Sequence, residues 1–128
     1  MKRIFTLGLS ALFILLTSFN INKGLEDVIS ALGSGNATEL ARYVDDNIEI
    51  GLPEKSDTYG KAQAVMIFRN FFNTHGVRSF EVKHKGDNGG KQFCVGTLYT
   101  RNGNFRTTVF MTTRNGVQLV KEIRFQHI

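Results

Sequence analysis

The apolar residues in the first half of the chain recur every three or four positions, which places them on one face of a helix. This spacing predicts a helix over residues 24–33 and a second over residues 37–44, ended by the turn residues Asp45 and Asp46. A longer helix is predicted over residues 61–75. It carries three phenylalanines within five residues, and only a sheet from the remaining chain can supply the apolar surface that covers them.

In the rest of the chain apolar and polar residues alternate, which is the pattern of β-strands. A short strand is predicted at residues 48–52, followed by a polar loop to about Gly60. Four longer strands are predicted at residues 78–85, 92–101, 104–114 and 117–126. The pairs Asn102-Gly103 and Asn115-Gly116 favour two-residue hairpin loops, because both loop positions need a positive φ. The expected fold class is α+β, with N-terminal helices and one long helix packed on a curved antiparallel sheet.

If each Asn-Gly pair occupies a two-residue loop, the register of the last three strands sorts their side chains onto two faces. The first predicted face carries Cys94, Gly96, Leu98, Phe105, Thr107, Val109, Met111, Val120, Glu122 and Arg124. The second predicted face carries Phe93, Val95, Thr97, Tyr99, Arg106, Thr108, Phe110, Leu119, Lys121, Ile123 and Phe125. Both are substantially apolar, whereas a sheet with one wet side alternates cleanly. The long helix covers one face, and a second copy of the molecule in a homodimer is the simplest cover for the other; ordinary exposed apolar residues are the alternative.

An opposed charge pair on the first predicted face is a candidate ligand-binding feature. Glu122 and Arg124 point the same way two residues apart, with Thr107 opposite Arg124. Such a pair beside apolar neighbours could orient a ligand at the mouth of a pocket. A solvated ion pair near a strand end is the alternative.

Two further residues are candidates for the same pocket. His84 alternates with Phe80 and Val82 and is expected to project toward the long helix, where it could act as an acid or base. A hydrogen-bonded or partly exposed structural histidine is the alternative. Tyr59 could stabilise developing charge.

The sequence contains no catalytic or metal-binding signature, so we expect no metal and no cofactor and assign no catalytic residue. Its three histidines lack metal-ligand spacing, and it has no nucleophile elbow, zinc-protease motif or phosphate-binding loop. Cys94 is the only cysteine, so no intramolecular disulfide can form, and we interpret it as a small apolar strand residue. The basic residues behind the net charge of +5 are scattered singly, so no nucleic-acid partner is expected.

Residues 1–20 have the layout of a secretory signal peptide, with Lys2 and Arg3 before an apolar run that ends at Leu16. This run is shorter than the about 20 residues that a membrane span needs. Because no A-x-A pattern follows it, a short uncleaved N-terminal anchor is the alternative. Residues 21–128 are then expected to form a single exported domain, periplasmic or secreted, with membrane contact only through an uncleaved leader.

The order of the predicted elements resembles that of the nuclear transport factor 2-like superfamily, a cystatin-like, cone-shaped α+β fold. More narrowly, the segments DVISALGSGNATELARYVDDNIEIGLPEKSDTYGKAQA, GTLYTRNGNFRT and KEIRF look like those of a domain-of-unknown-function family of small exported bacterial proteins. The likeness covers about residues 24–126. It implies a dimer through the sheet and a pocket between sheet and helix, used in the superfamily for isomerase, dehydratase or hydrolase chemistry or for binding. The Tyr and Asp set of the ketosteroid-isomerase branch and the Asp and His set of the dehydratase branch have no counterpart at matching positions here.

Three functional hypotheses follow, because a fold of this kind does not decide function. The preferred one is a non-enzymatic exported domain that binds a small apolar ligand or a protein partner through the mouth of the cone. The second is a pocket enzyme of isomerase, lyase or hydrolase type, with His84 or Glu122 as acid or base and Arg124 or Tyr59 stabilising charge. The third is a structural envelope protein whose second apolar face docks onto another protein and whose cone is filled by side chains.

Overall fold

A computed structural model describes residues 23–128, so the predicted leader at residues 1–20 lies outside the described residues. The helices in this range are α1 Lys23–Ser34, α2 Ala37–Ala41 and α3 Lys61–His75. The strands are β1 Val44–Gly51, β2 Ser56–Gly60, β3 Val77–Asn88, β4 Lys91–Thr100, β5 Gly103–Arg114 and β6 Val117–His127. The α+β class is therefore confirmed, as are the predicted helices, although α2 is shorter than predicted.

The described strands form one sheet in the order β2-β1-β6-β5-β4-β3, curved and unclosed. Neighbours run antiparallel except β1 and β6, which are parallel. The prediction of a loop up to Gly60 was wrong, because β2 occupies Ser56–Gly60 as an edge strand. Its residues are polar and mostly exposed, so it lacks the apolar alternation by which a strand is recognised.

The helices begin and end at residues whose chemistry suits those positions. The Asn36 side chain accepts a hydrogen bond of 3.1 Å from the Glu39 N–H and so caps α2. Gly76 follows α3 with a φ of 72°, the left-handed conformation in which glycine commonly ends a helix. No helix within residues 23–128 is long and apolar enough to cross a membrane.

The hairpin between β5 and β6 has the predicted loop. Arg114 pairs with Val117, and both Asn115 and Gly116 have a positive φ. This is the conformation that a type I′ turn requires, so the prediction for this loop is confirmed.

The hairpin between β4 and β5 does not have the predicted loop. Thr100 pairs with Gly103, so the loop consists of Arg101 and Asn102. The Asn102 side chain donates a hydrogen bond of 2.9 Å to the Thr74 carbonyl, which ties the loop to the end of α3. Each β5 residue therefore pairs with a β4 residue two positions earlier than predicted, and a shift of two leaves the faces of β4 and β5 as predicted.

Aromatic side chains fill the space between α3 and the sheet. Phe68 of α3, Phe105 of β5 and Phe125 of β6 are fully buried. The ring of Phe71 lies between them, with its centroid 5.1 Å from that of Phe105 and 4.5 Å from that of Phe125. We call the face of the sheet that carries Phe105 and Phe125 the core face, and the opposite one, which carries Phe110, the outer face.

Candidate functional site

A β-bulge in β6 decides which side chains reach the outer face. Phe110 pairs with Glu122, whereas Met111 pairs with Val120, which leaves Lys121 as an extra residue in β6. Because one extra residue reverses the alternation of a strand, the predicted faces of β6 are wrong beyond this point.

The reversal moves the predicted charge pair away from the helices. Glu122 and Arg124 lie on the outer face, and Ile123 and Phe125 are buried on the core face in their place. Thr107 pairs with Phe125 and not, as predicted, with Arg124.

Thr107 and His84 also differ from their predicted surroundings. Thr107 is fully buried, and its hydroxyl donates a hydrogen bond of 3.4 Å to the Phe105 carbonyl, so it belongs to the core. His84 follows a second bulge, at Lys83 in β3, and pairs with Val95. It is therefore exposed on the outer face and does not project toward α3.

The five candidate ligand-binding residues do not converge. Tyr59 lies in the edge strand β2, where it pairs with Ile48 of β1 and packs against the core. His84 lies in the opposite edge strand β3. Five interstrand spacings of about 4.8 Å put these two edges about 24 Å apart along the sheet. Only Glu122 and Arg124 meet.

These two residues form an ion-pair cluster with Glu49 on the outer face. The Arg124 Nε contacts the Glu122 Oε2, and the Arg124 Nη2 lies 3.6 Å from the Glu49 Oε2. The Arg124 stem crosses Gly51, where a Cβ would come within 3.1 Å of it. The Glu122 carboxylate, which is 23% exposed, is thus paired with a half-exposed cation.

One half of the outer face carries apolar side chains. Phe110 is 43% exposed there, and the half-buried Phe93 pairs with it on β4. On β6 its direct partner is Glu122, and the half-buried Leu119 pairs with Thr112, two residues along β5 from Phe110. The Phe93 ring covers the backbone at Gly86, where a Cβ would come within 2.5 Å of it. We call Phe93, Phe110 and Leu119 the apolar end.

The other half of the outer face contains an open depression of about 600 Å³. It is lined by basic and hydroxyl side chains around a valine, notably Lys83, His84, Val95, Thr97, Arg106 and Thr108. We call it the basic groove. The sequence pattern placed most of these residues on one face, but the bulge in β3 that adds Lys83 and His84 could not be seen.

Asp45, which the sequence pattern predicts as a turn residue, is a buried carboxylate that fixes the β6 bulge. Asp45 lies within β1 and is 4% exposed. Its Oδ2 accepts a hydrogen bond of 3.1 Å from the Nζ of Lys121, the extra residue of the bulge, and its Oδ1 accepts one from Arg114. The Asp46 N–H also donates to Oδ1, at 2.8 Å.

The same contacts set the ionisation of Asp45. Burial opposes the charged form, but the Asp46 N–H, Lys121 and Arg114 outweigh it and hold the pKa of Asp45 below its usual value. The sequence contains the two cations that pair with Asp45, Arg114 and Lys121. They could not be identified as its partners without knowing the strand order.

The other perturbed groups are structural. Burial raises the pKa of the Cys94 thiol to about 11, so it stays protonated as an apolar core residue. Burial, and then the proximity of His127, lower the pKa of His75. The Tyr43 hydroxyl donates a hydrogen bond of 2.7 Å to Asp27, which raises the pKa of Tyr43 and joins the turn before β1 to α1. Within residues 23–128, no group of three or more His, Cys, Asp or Glu side chains could hold a metal ion.

Comparisons with known proteins agree with this fold. A family model described as a domain of unknown function, DUF4783, matches residues 25–126. The chain is 34% identical to a DUF4783 protein from Bacteroides uniformis and matches its crystal structure with a TM-score of 0.78, over 80% of this chain and 95% of that one. For a DUF4783 protein from Bacteroides ovatus the identity is 32% and the TM-score 0.77, over 80% of this chain and 93% of that one.

More distant structures share the fold alone. An NTF2-like protein of unknown function from Cytophaga hutchinsonii matches with a TM-score of 0.61 at 9% identity, over 84% of this chain and 89% of that one. The expected nuclear transport factor 2-like fold is thereby confirmed. A search of curated proteins gives no match.

Proposed function

This chain belongs to the DUF4783 family, and from that premise we propose that it is an exported, non-enzymatic binding domain whose binding surface is the outer face of the sheet. The observation that carries the proposal is the difference between the two faces. The core face is filled by the rings of α3, β5 and β6, whereas the outer face keeps a large phenylalanine 43% exposed.

The filled core argues against a small ligand held between the sheet and α3; a smaller depression of about 220 Å³ lies between α1 and the strands β3 and β4. A ligand between the sheet and α3 would have to displace Phe68, Phe71 or Phe125, which contact one another or their neighbours at ring distances of 4.5 to 6.3 Å. Emptying a site of this kind costs about 3–5 kcal/mol for each phenylalanine removed. We therefore place binding on the open face.

The partner that we propose for the apolar end is a second copy of the chain. Exposed Lys91 flanks this end on β4, and the cluster of Glu49, Glu122 and Arg124, with one net negative charge, flanks it on the side of β1. A two-fold axis that passes between the Phe110 side chains of the two copies brings the basic flank of one copy over the acidic flank of the other. Apolar contact in the centre with opposite charges at the rim suits a homodimer.

Export rests on the sequence of residues 1–20, which has the charged start and short apolar run of a signal peptide.

An enzyme remains the alternative function, and it requires an acid or base to meet a charge-stabilising group. His84 and Tyr59 lie at opposite edges of the sheet. Glu122 and Arg124 do meet, but as an ion pair with each other on the outer face and not in a pocket between sheet and helix. The binding hypothesis needs no acid or base, and for this reason we prefer it.

Two neighbouring substitutions test the proposal. We expect Phe110→Asp to leave the fold intact and to abolish self-association, because this side chain is exposed at the apolar end. Val109→Asp, the matched control, should unfold the domain, because Val109 is fully buried on the core face. Circular dichroism reports the fold, and sedimentation velocity across a range of protein concentrations reports the association.

A wild-type protein that is monomeric at all concentrations would contradict the proposed homodimer. So would a Phe110→Asp variant that associates as the wild type does. Loss of folding in both variants would show that the outer face is part of the core.

A further inference from the structure

We propose that the basic groove is a binding site for a small organic carboxylate, an inference that rests on the outer face being the binding surface. The groove adjoins the apolar end, because Val95 and Thr108, which line it, lie two residues along their strands from Phe93 and Phe110. Its central residue Arg106 lies four residues from Phe110, so we expect ligand binding there and association at the apolar end to be separable.

Arg106 is at the centre of the groove. In β5 it lies directly opposite Thr97 of β4 on one side and Gln126 of β6 on the other. Directly opposed residues have Cβ atoms about 4.5–5.5 Å apart, so the Thr97 hydroxyl and the Gln126 amide belong to the side chains that flank Arg106. Thr108 lies two residues along the same strand and adds a second hydroxyl.

The charge of Arg106 is not neutralised within the part of the chain that the structure describes. No ion pair joins it to a carboxylate there, whereas Arg124 on the same face is paired with Glu122 and Glu49. None of the described residues that line the groove has a carboxylate side chain.

The nearest acidic residue in this row of the sheet is already occupied. Glu81 lies opposite Thr97, and its Oε1 accepts hydrogen bonds of 2.7 Å from Lys83 and 2.9 Å from the Tyr99 hydroxyl. Glu81 is thus engaged by these two donors and lies two strands from Arg106, on the other side of Thr97. The guanidinium of Arg106 is left without a carboxylate partner among the described residues.

A carboxylate with an apolar body fits these features. The planar guanidinium binds a carboxylate through two parallel hydrogen bonds, which a neutral group cannot reproduce. His84 adds a polar side chain at the rim, where Lys83 is paired with Glu81, and the half-buried Val95 gives an apolar contact. A volume of about 600 Å³ lies in the range of small-molecule sites, which are commonly about 300–1,000 Å³.

Benzoate and benzamide are matched probes for this site, because they share shape and apolar area and differ in charge. We expect benzoate to shift the backbone amide signals of Thr97, Arg106 and Thr108 saturably in ¹H–¹⁵N spectra of the protein, with a Kd of about 1 mM or lower. Benzamide should bind at least about tenfold more weakly.

Arg106→Gln should weaken benzoate binding at least about tenfold, a factor that corresponds to about 1.4 kcal/mol. Arg69→Gln, which removes an exposed arginine of α3 remote from the groove, should leave it unchanged. Equal affinities for benzoate and benzamide, equal binding by wild type and Arg106→Gln, or no saturable shift would each overturn the proposal.

The failure of this inference is distinguishable from failure of the proposed function. The Phe110→Asp variant tests association at the apolar end and should bind benzoate as the wild type does. If benzoate binds but Phe110→Asp does not change the association, the proposal for the basic groove is supported and the proposed homodimer is contradicted. Sodium phosphate shifting the same signals as strongly as benzoate would show a general anion site and overturn the preference for a carboxylate.

Discussion

At the scale of single residues, Asp45 is a buried polar side chain whose structural role the sequence pattern did not indicate. Its carboxylate is buried and is held by Arg114, Lys121 and the Asp46 N–H. A buried charge is tolerated only when paired, and both cations here keep their stems at the surface. Asp45 therefore joins β1 to the turn end of the β5–β6 hairpin.

We expect Asp45→Asn to lower the free energy of unfolding by about 1.5–3 kcal/mol, the usual contribution of hydrogen bonds to a charged group. Urea denaturation at neutral pH measures it. Asp46→Asn is the matched control, because Asp46 is exposed and contributes through its backbone. An Asp45→Asn variant as stable as the control would contradict this role.

The same residue gives a pH dependence. Because the pKa of Asp45 is lower in the folded state, its stabilisation is present above the unfolded pKa of about 3.9 and is lost as the pH falls through the folded value. The wild type should lose more stability than Asp45→Asn between neutral pH and that acid range. Parallel pH profiles of the two proteins would refute this assignment.

At the scale of elements, the bulge in β6 determines the composition of both faces. Without Lys121 as an extra residue, Ile123 and Phe125 would point outward and Glu122 and Arg124 inward. The bulge thus supplies two of the core side chains and also the charged cluster of the outer face.

Deletion of Lys121 should abolish cooperative folding. Exposing Ile123 and Phe125 costs about 2–5 kcal/mol each, which together approach the 5–15 kcal/mol stability of a typical domain. Lys121→Ala keeps the bulge and should fold, with a loss of at most about 3 kcal/mol. Thermal unfolding followed by circular dichroism separates them, and a cooperative transition in the deletion variant would contradict the assignment.

The faces of the strands could not be predicted from the sequence beyond such a bulge. The helices and the four long strands follow from apolar periodicity, and the Asn115-Gly116 turn follows from its φ requirement. The bulges at Lys83 and Lys121 do not, because a polar insertion leaves no periodic signal and is fixed by distant partners such as Asp45. Consequently Glu122, Arg124 and His84 were placed on the wrong face, although their strands were correct.

At the scale of the whole molecule, the outer face combines two surfaces of different chemistry. The apolar end surrounds Phe110, and the basic groove surrounds Arg106 on the same strand four residues earlier. Four residues of a strand span about 13 Å, which separates a protein contact from a small-ligand site. Both depend on one sheet whose other face is closed by helices.

This arrangement predicts that association and ligand binding respond to different substitutions. The wild-type Tm should rise with protein concentration, because association stabilises the folded state by mass action, and should rise separately with benzoate. Phe110→Asp should lose the first dependence and keep the second, whereas Arg106→Gln should do the reverse. Scanning calorimetry over a matrix of protein and benzoate concentrations measures both. One substitution that removed both dependences would mean that the outer face is a single site, in which the ligand binds between two copies.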